Sequence, residues 1–327
     1  MFHFLRRGDD QTVNPDAHAP AENAPPRPSI GLVLGGGAAR GFAHIGVLRT
    51  LLAKGLVPDI IAGTSIGAVV GGCYAAGKLD EIETWGRSLT RRSLWSYLDV
   101  SFSGSALLGG GKLAEKIVDA VGDLTIDKLP LRFAAIATEI GTGHEIWITR
   151  GKVADAMRAS YALPGIFPPV ALGERWLVDG ALVNPVPVSV ARALGARVVI
   201  AVNVNTDLFG RGTAVPDLGD VAAPEIVEEA ESRGVFGLFS ERAMKRQILG
   251  SGSRPGLSTV MVEAFNIMQD RITRARLAGD PPDLLISPRV GRIGLFDFHR
   301  AQEAIALGAE AAERALEGFE DVVAALA

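Results

Sequence analysis

The chain has 327 residues, a formal net charge of −4, 48% hydrophobic and 21% charged residues, and one cysteine. This balance supports one large domain or two smaller ones around a substantial core, and with no long basic tract it offers no sign of a nucleic-acid partner. A single cysteine excludes an intramolecular disulfide, and no uninterrupted apolar run of about 18 residues is present to cross a membrane.

Residues 1–28 are rich in Ala, Pro, Asp and Asn without periodicity and read as a disordered leader, with order beginning at Ser29. Met1 to Arg7 is not followed by a signal-peptide core. The expected compartment is therefore the cytoplasm, with peripheral contact at the inner membrane left open. Ile30 to Leu34 is a short apolar run ending in glycines, as a buried strand would. Gly41 to Lys54 carries Ile45, Leu48 and Leu52 at helical spacing, and Gly55 can end it. Asp59 to Ala62 predicts a second strand and Ile66 to Ala76 a second helix stopped by Gly77. Strand, helix, strand, helix at this spacing predicts a parallel sheet with right-handed crossovers. Cys73, among small residues on that second helix, reads as a small buried hydrophobe.

Leu79 to Gly122 reads as helices broken by a glycine- and serine-rich loop, Ser101 to Gly111. Phe133 to Thr138 and Glu145 to Thr149 read as strands about the turn Gly141-Thr142-Gly143, and Val153 to Ser160 as a short helix. Ala162 to Val170, punctuated by prolines, reads as an irregular wall. Trp176 to Val178 is a strand ending at Asp179, and Val198 to Val204 a central strand. Thr206 to Gly256 changes character. Its glycines and prolines, the acidic Glu225, Glu228, Glu229 and Glu231, and the apolar Val235 to Phe239 read as a mobile insertion or lid. Ser258 to Leu277 reads as a helix, Leu284 to Ile286 as a last strand, and Asp297 to Leu316 as a closing helix.

Three pieces carry chemistry. Gly63-Thr64-Ser65-Ile66-Gly67 is a G-x-S-x-G pattern placed where a strand gives way to a helix. A turn that tight leaves no room for flanking side chains, thrusts the serine out, and sets its oxygen over a helix N-terminus. Gly35-Gly36-Gly37-Ala38-Ala39-Arg40-Gly41 follows the first strand, where glycines let backbone N–H groups face a developing oxyanion. It lacks the Gly-Lys-Ser/Thr ending of a Walker loop, and Arg40 stands where a dinucleotide fingerprint starting at Gly35 needs its last glycine. Asp179-Gly180-Ala181 ends a strand expected to be parallel, which points a carboxylate into the crevice where ligands bind. Alone, it reads more readily as a turn aspartate capping its own backbone, the usual fate of Asp-Gly. That reading loses ground only because a serine nucleophile needs a partner base.

Together and in this order, these pieces resemble the patatin-like phospholipase family, with the closest likeness to bacterial members in the branch related to neuropathy target esterase. Ala159 to Pro169, Asn184-Pro185 and Asp297 to Arg300 also look like family blocks. The resemblance runs from about Ile30 to the end. It implies an α/β fold: a three-layer patatin-like sandwich with a mainly parallel central sheet. The implied plan is a leader 1–28, a catalytic domain 29–205, an insertion or lid 206–256, and C-terminal helices and a strand 257–327 packed on the catalytic domain. It implies a Ser65–Asp179 dyad without histidine, and oxyanion binding by Gly35, Gly36, Gly37, Ala38 and Arg40. Gly63, Gly67 and Gly180 support the motifs. No metal or cofactor is implied, and the partner is a lipid or other acyl ester that is hydrolysed. Ala38 stands where the plant-type pattern has a third consecutive glycine, so that position needs a φ acceptable to alanine.

Rival readings remain at this stage. Ser65, Asp179 and His299 follow the chain order of a Ser-His-Asp esterase. His44 reads as a holder of the glycine loop or a core histidine, and His144 as a surface turn residue. Trp95, Tyr97, Leu107 and Leu108 read as an acyl pocket wall, a membrane contact or plain packing. A regulatory or membrane-binding protein on the same scaffold, or a nucleotide-binding protein, are the non-hydrolase alternatives.

Overall fold

The computed structural model describes residues 27–92, 111–208, 250–251, 254–255 and 257–319. The leader up to residue 26, Trp95, Tyr97, the loop from Ser101 to Gly110, and most of the expected insertion, with Val235 to Phe239, lie outside the described residues. The elements run β1 (Ile30–Leu34), α1 (Ala43–Ala53), β2 (Ile60–Thr64), α2 (Ile66–Ala75), α3 (Leu79–Ser88), α4 (Gly111–Val121), β3 (Arg132–Glu139), β4 (Glu145–Ile148) and α5 (Val153–Ser160). They continue as β5 (Val170–Leu172), β6 (Arg175–Asp179), α6 (Val188–Ala193), β7 (Val198–Val202), the short β8 (Gly250–Ser251) and β9 (Arg254–Pro255), α7 (Leu257–Gly279), β10 (Leu284–Ile286) and α8 (Ala301–Leu316).

β1, β2 and β7 are buried at every position. Such runs need no polar alternation because helices cover both faces of the sheet. Alternate residues serve opposite faces: Leu32, Leu34, Ile61 and Ile200 join one core, and Val33, Ala62, Val199 and Ala201 the other. The larger core is closed by α1, α2, α3, α4, α5 and α8, the smaller by α6 and Leu277 of α7. The result is a three-layer α/β arrangement with a mostly parallel central sheet.

The strand order is β10-β7-β1-β2-β3-β6-β5, with β4 also on β3. β10, β7, β1, β2 and β3 are mutually parallel, whereas β4 and β6 run antiparallel to β3. This corrects the expectation that Asp179 ends a parallel strand. Its strand is the second arm of a hairpin with β5, where Leu172 pairs Arg175. A two-residue link allows only antiparallel pairing, since a parallel pair needs a long crossover. Val170, the last residue of the expected irregular wall, thus begins a strand, Val170–Leu172.

That hairpin positions the site. β2 pairs β3 up to Thr64↔Ile136, and β4 occupies the opposite edge of β3 over Ala135 to Thr138. β6 pairs Ala137 to Glu139, so it must lie on the same edge as β2, with Asp179 opposite Ala137. β2 and β6 therefore approach along one edge from opposite ends. Their C-terminal residues meet at neighbouring positions of β3.

Candidate active site

Ser65 sits between β2 and α2 with φ 55° and ψ −125°. A non-glycine residue in this region carries strain that the surrounding structure must hold in place. The flanking glycines explain how the turn closes. A Cβ on Gly67 would lie 2.0 Å from the Leu34 carbonyl oxygen, and one on Gly63 would lie 2.6 Å from Ala68 backbone atoms.

The Ser65 hydroxyl donates to Asp179 Oδ2 at 2.6 Å, and the Ala181 amide donates to Asp179 Oδ1 at 2.8 Å. Asp179 is 2% exposed. Burial pushes its carboxyl up from 3.8 to about 7, against the opposing pull of the Ser65 and Ala181 hydrogen bonds. A carboxylate with that affinity is a far better proton acceptor at neutral pH than an ordinary aspartate.

Both backbones are tied to one short segment. The Ser65 amide donates to Ser160 Oγ at 2.8 Å, whose hydroxyl donates to the Ile136 carbonyl at 2.6 Å. Two residues on, the Ala162 carbonyl accepts from the Asp179 amide at 2.9 Å, while Thr138 Oγ1 donates to the Asp179 carbonyl. Gly180 is pressed against β3, where a Cβ would lie 2.2 Å from the Ile136 carbonyl oxygen.

The glycine loop divides. The Gly35, Gly36 and Arg40 amides donate to the carbonyls of Val202, Pro185 and Gly37. Among the described residues, the amides of Gly37 and Ala38 meet no acceptor, and these two residues line the cavity that holds Ser65 and Asp179. Of the five positions expected to bind an oxyanion, two thus keep amides that meet no acceptor among the described residues. Ala38 has φ 47°, inside the left-handed region that favours glycine, so the alanine at this third loop position is held in a strained backbone. Arg40 does not reach the site. Its side chain is buried, donates to Asn266 Oδ1 on α7, and is not among the cavity's described lining residues. Burial lowers its guanidinium to about 10, with Asp207 and Glu263 pulling the other way.

His44 is fully buried, and its Nε2 donates to the Gly35 carbonyl at 2.8 Å. Burial brings its pKa down to about 4, so it is a neutral brace for the loop. Asn205 Nδ2 adds a second brace, bonding both the Gly36 carbonyl and Gln269 Oε1. His299 is elsewhere: Arg91 Nε donates to its Nε2, and it does not line the cavity. The direct contact of Ser65 with Asp179 leaves no place for an imidazole between them. His144 is exposed beside Glu139, as its turn position suggests. Cys73 is buried, and burial pushes its thiol up to about 12. No cluster of metal-binding side chains exists among the described residues.

Ser160, Thr138, Asn205 and the Ala162 carbonyl had no assigned role in the sequence reading. Each acts across a long separation in the chain, and only Ser160 and Ala162 lay in a stretch already singled out.

The site opens into a cavity of about 700 Å³ whose wall is mostly apolar. A strand–turn–helix serine, a buried carboxylate in contact with it, and a glycine loop beside both define a class of α/β proteins. Residues 32–192 match the family model "Patatin-like phospholipase". An "Uncharacterized NTE family protein" of Mycobacterium tuberculosis is 35% identical over 335 residues, covering 90% of this chain and 92% of that one. Lysophospholipase NTE1 of Yarrowia lipolytica is 38% identical over 223 residues, which is 60% of this chain and 16% of that one. VipD from Legionella pneumophila, a solved structure, aligns over 90% of this chain and 67% of that one, with a TM-score of 0.45 and 14% identity. The chain belongs to the patatin-like phospholipase family, in its bacterial NTE-related branch.

Proposed function

We propose that the protein is a serine lipid acyl hydrolase, of the phospholipase A or lysophospholipase type, working through a Ser65–Asp179 dyad. The observation that carries this is the 2.6 Å bond from the Ser65 hydroxyl to a buried carboxyl raised to about 7, at the wall of an apolar cavity. Asp179 takes the Ser65 proton as Oγ attacks the ester carbonyl carbon. The Gly37 and Ala38 amides face the tetrahedral oxyanion, where removing a single donor typically costs about 3–4 kcal/mol. The ester C–O bond breaks, the leaving oxygen takes the proton from Asp179, and an acyl-Ser65 remains. Asp179 then deprotonates a water that attacks the acyl carbon, and the proton returns to Ser65. Arg40 serves by fixing the loop against α7 rather than by contacting the oxyanion.

The test is a panel of esters from short acyl to long-chain lysophospholipid, with a fluorophosphonate probe alongside. Wild type is expected to turn over and to be labelled at Ser65, and Ser65→Ala to do neither. Folded wild type that neither hydrolyses nor takes the probe refutes the reading and favours a binding protein on the same scaffold.

A further inference from the structure

The cavity does not stop at the dyad. Along α2 its lining continues from Ser65 through Ile66, Val69 and Cys73, one stripe of the helix at i, i+3 and i+7. Ile82 and Trp85 of α3 face the same space one turn apart, and so do Leu113 and Ile117 of α4 at i, i+4. α2, apolar all round, and the amphipathic α3 and α4 thus share one core and leave a cavity bounded by apolar stripes between them. Close packing is the rule in protein interiors, so an unfilled apolar channel of this size needs an occupant. Because Ser65 and these residues share one continuous cavity, the occupant is part of the molecule that Ser65 attacks.

We infer that the groove between α2, α3 and α4 is the acyl-chain subsite, and that Cys73 sets the length of chain it reads. This rests on the hydrolase reading above. From Ser65 to Cys73 is eight residues, about 12 Å of helix at 1.5 Å per residue. An extended chain advances about 1.2 Å per bond, as the polypeptide backbone does, so the stretch spans about ten carbons. Beyond Cys73 the lining, among the described residues, turns polar, with Asp80 and Glu81 in the first turn of α3 and Asp119 on α4. The Asp80 and Glu81 side chains are 83% and 51% exposed. Against these described side chains, carbons past this point gain no apolar burial. The groove therefore reads chain length as a plateau, not as a cut-off.

The experiment measures kcat/KM for a saturated ester series from four to sixteen carbons with one leaving group, all below their micellar concentrations. For wild type, kcat/KM rises by about fourfold per methylene, the value of a buried CH₂, and levels near ten carbons. Cys73→Phe moves the plateau toward shorter chains and lowers the twelve-carbon to four-carbon ratio at least tenfold. Ile117→Phe, from the opposite wall, does the same and covers the case in which the first variant fails to fold. Val118→Ala, on the exposed face of α4, keeps the wild-type ratio. If hydrolysis depends on Ser65 but chain length has no effect, or neither phenylalanine variant changes the ratio, the groove assignment fails and the dyad stands. If no ester of any length is turned over in a Ser65-dependent manner, both fall together.

Discussion

Burial gives Asp179 its basicity and has a thermodynamic cost. The folded state holds a proton on this carboxyl up to about pH 7, whereas an unfolded aspartate releases it near 3.8. The folded chain therefore binds more protons between these values. The contribution of Asp179 to stability is most favourable below about pH 3.8 and is lost as pH rises through 7. Asp179→Asn removes that loss, worth up to a few kcal/mol at about 1.4 kcal/mol per pKa unit. The variant is expected to melt above wild type at pH 8, with the gap closing toward pH 4 in a thermal scan. His44, lowered to about 4, works in the opposite sense, losing stability as pH falls from 6.5. It is common to both proteins and cancels in the comparison.

Ser160 is expected to matter through Ser65 rather than through substrate. Its hydroxyl takes the amide of a strained residue, and Ser160→Ala leaves that buried N–H without a partner. A misplacement of about 1 Å can cost on the order of a hundredfold in rate, so kcat should fall by about 10- to 100-fold with KM nearly unchanged. Unchanged kcat would show that the elbow holds itself. The sequence disclosed Ser65 because the elbow is local chemistry, readable in five residues. It could not disclose Ser160, because the bond spans 95 positions and only the register of β2 on β3 creates it.

At the scale of elements, α1 and α8 cross backbone to backbone. A Cβ on Gly46 would fall 1.9 Å from the Ile305 carbonyl oxygen, and one on Gly308 would fall 2.0 Å from that of Ala43. Neither glycine has a positive φ; both are there for contact. Gly308→Ala must push two helices apart, and overpacking of this kind costs typically about 1–3 kcal/mol, read as a lower Tm. A variant as stable as wild type would mean the crossing is loose. Helical periodicity revealed both helices but not their partnership, since the glycines look like ordinary breaks in an alanine-rich pattern. The direction of β6 was hidden for a related reason. A three-residue strand after a proline-rich stretch gives too short a pattern to announce a hairpin, so Asp179 was placed at the right residue but on a strand of the wrong sense.

Over the whole molecule, the pieces converge because the sheet brings strand ends together. The glycine loop follows β1, Ser65 follows β2, Asp179 ends β6 and Asn205 follows β7, four separate stretches of chain gathered at one edge of the layers. The parallel pairing of β1 with β2 was legible from strand–helix alternation, whereas the order of the strands across the sheet was not. The loop amides were legible only as a set. The structure separates those tied to Val202, Pro185 and Gly37 from those of Gly37 and Ala38, whose acceptors are not found among the described residues. Among those residues no helix is long and apolar enough to cross a membrane. Under the proposed hydrolase reading, the acyl chain enters the mostly apolar cavity. That gain in apolar burial, together with the dyad, is what the account asks of this fold. The most direct measurement is the pH dependence of kcat/KM on a ten-carbon ester, wild type beside Asp179→Asn. The account predicts an acid limb near pH 7 in wild type and a loss of about a thousandfold or more, with no such limb, in the variant. A folded Asp179→Asn protein that keeps wild-type activity would contradict it.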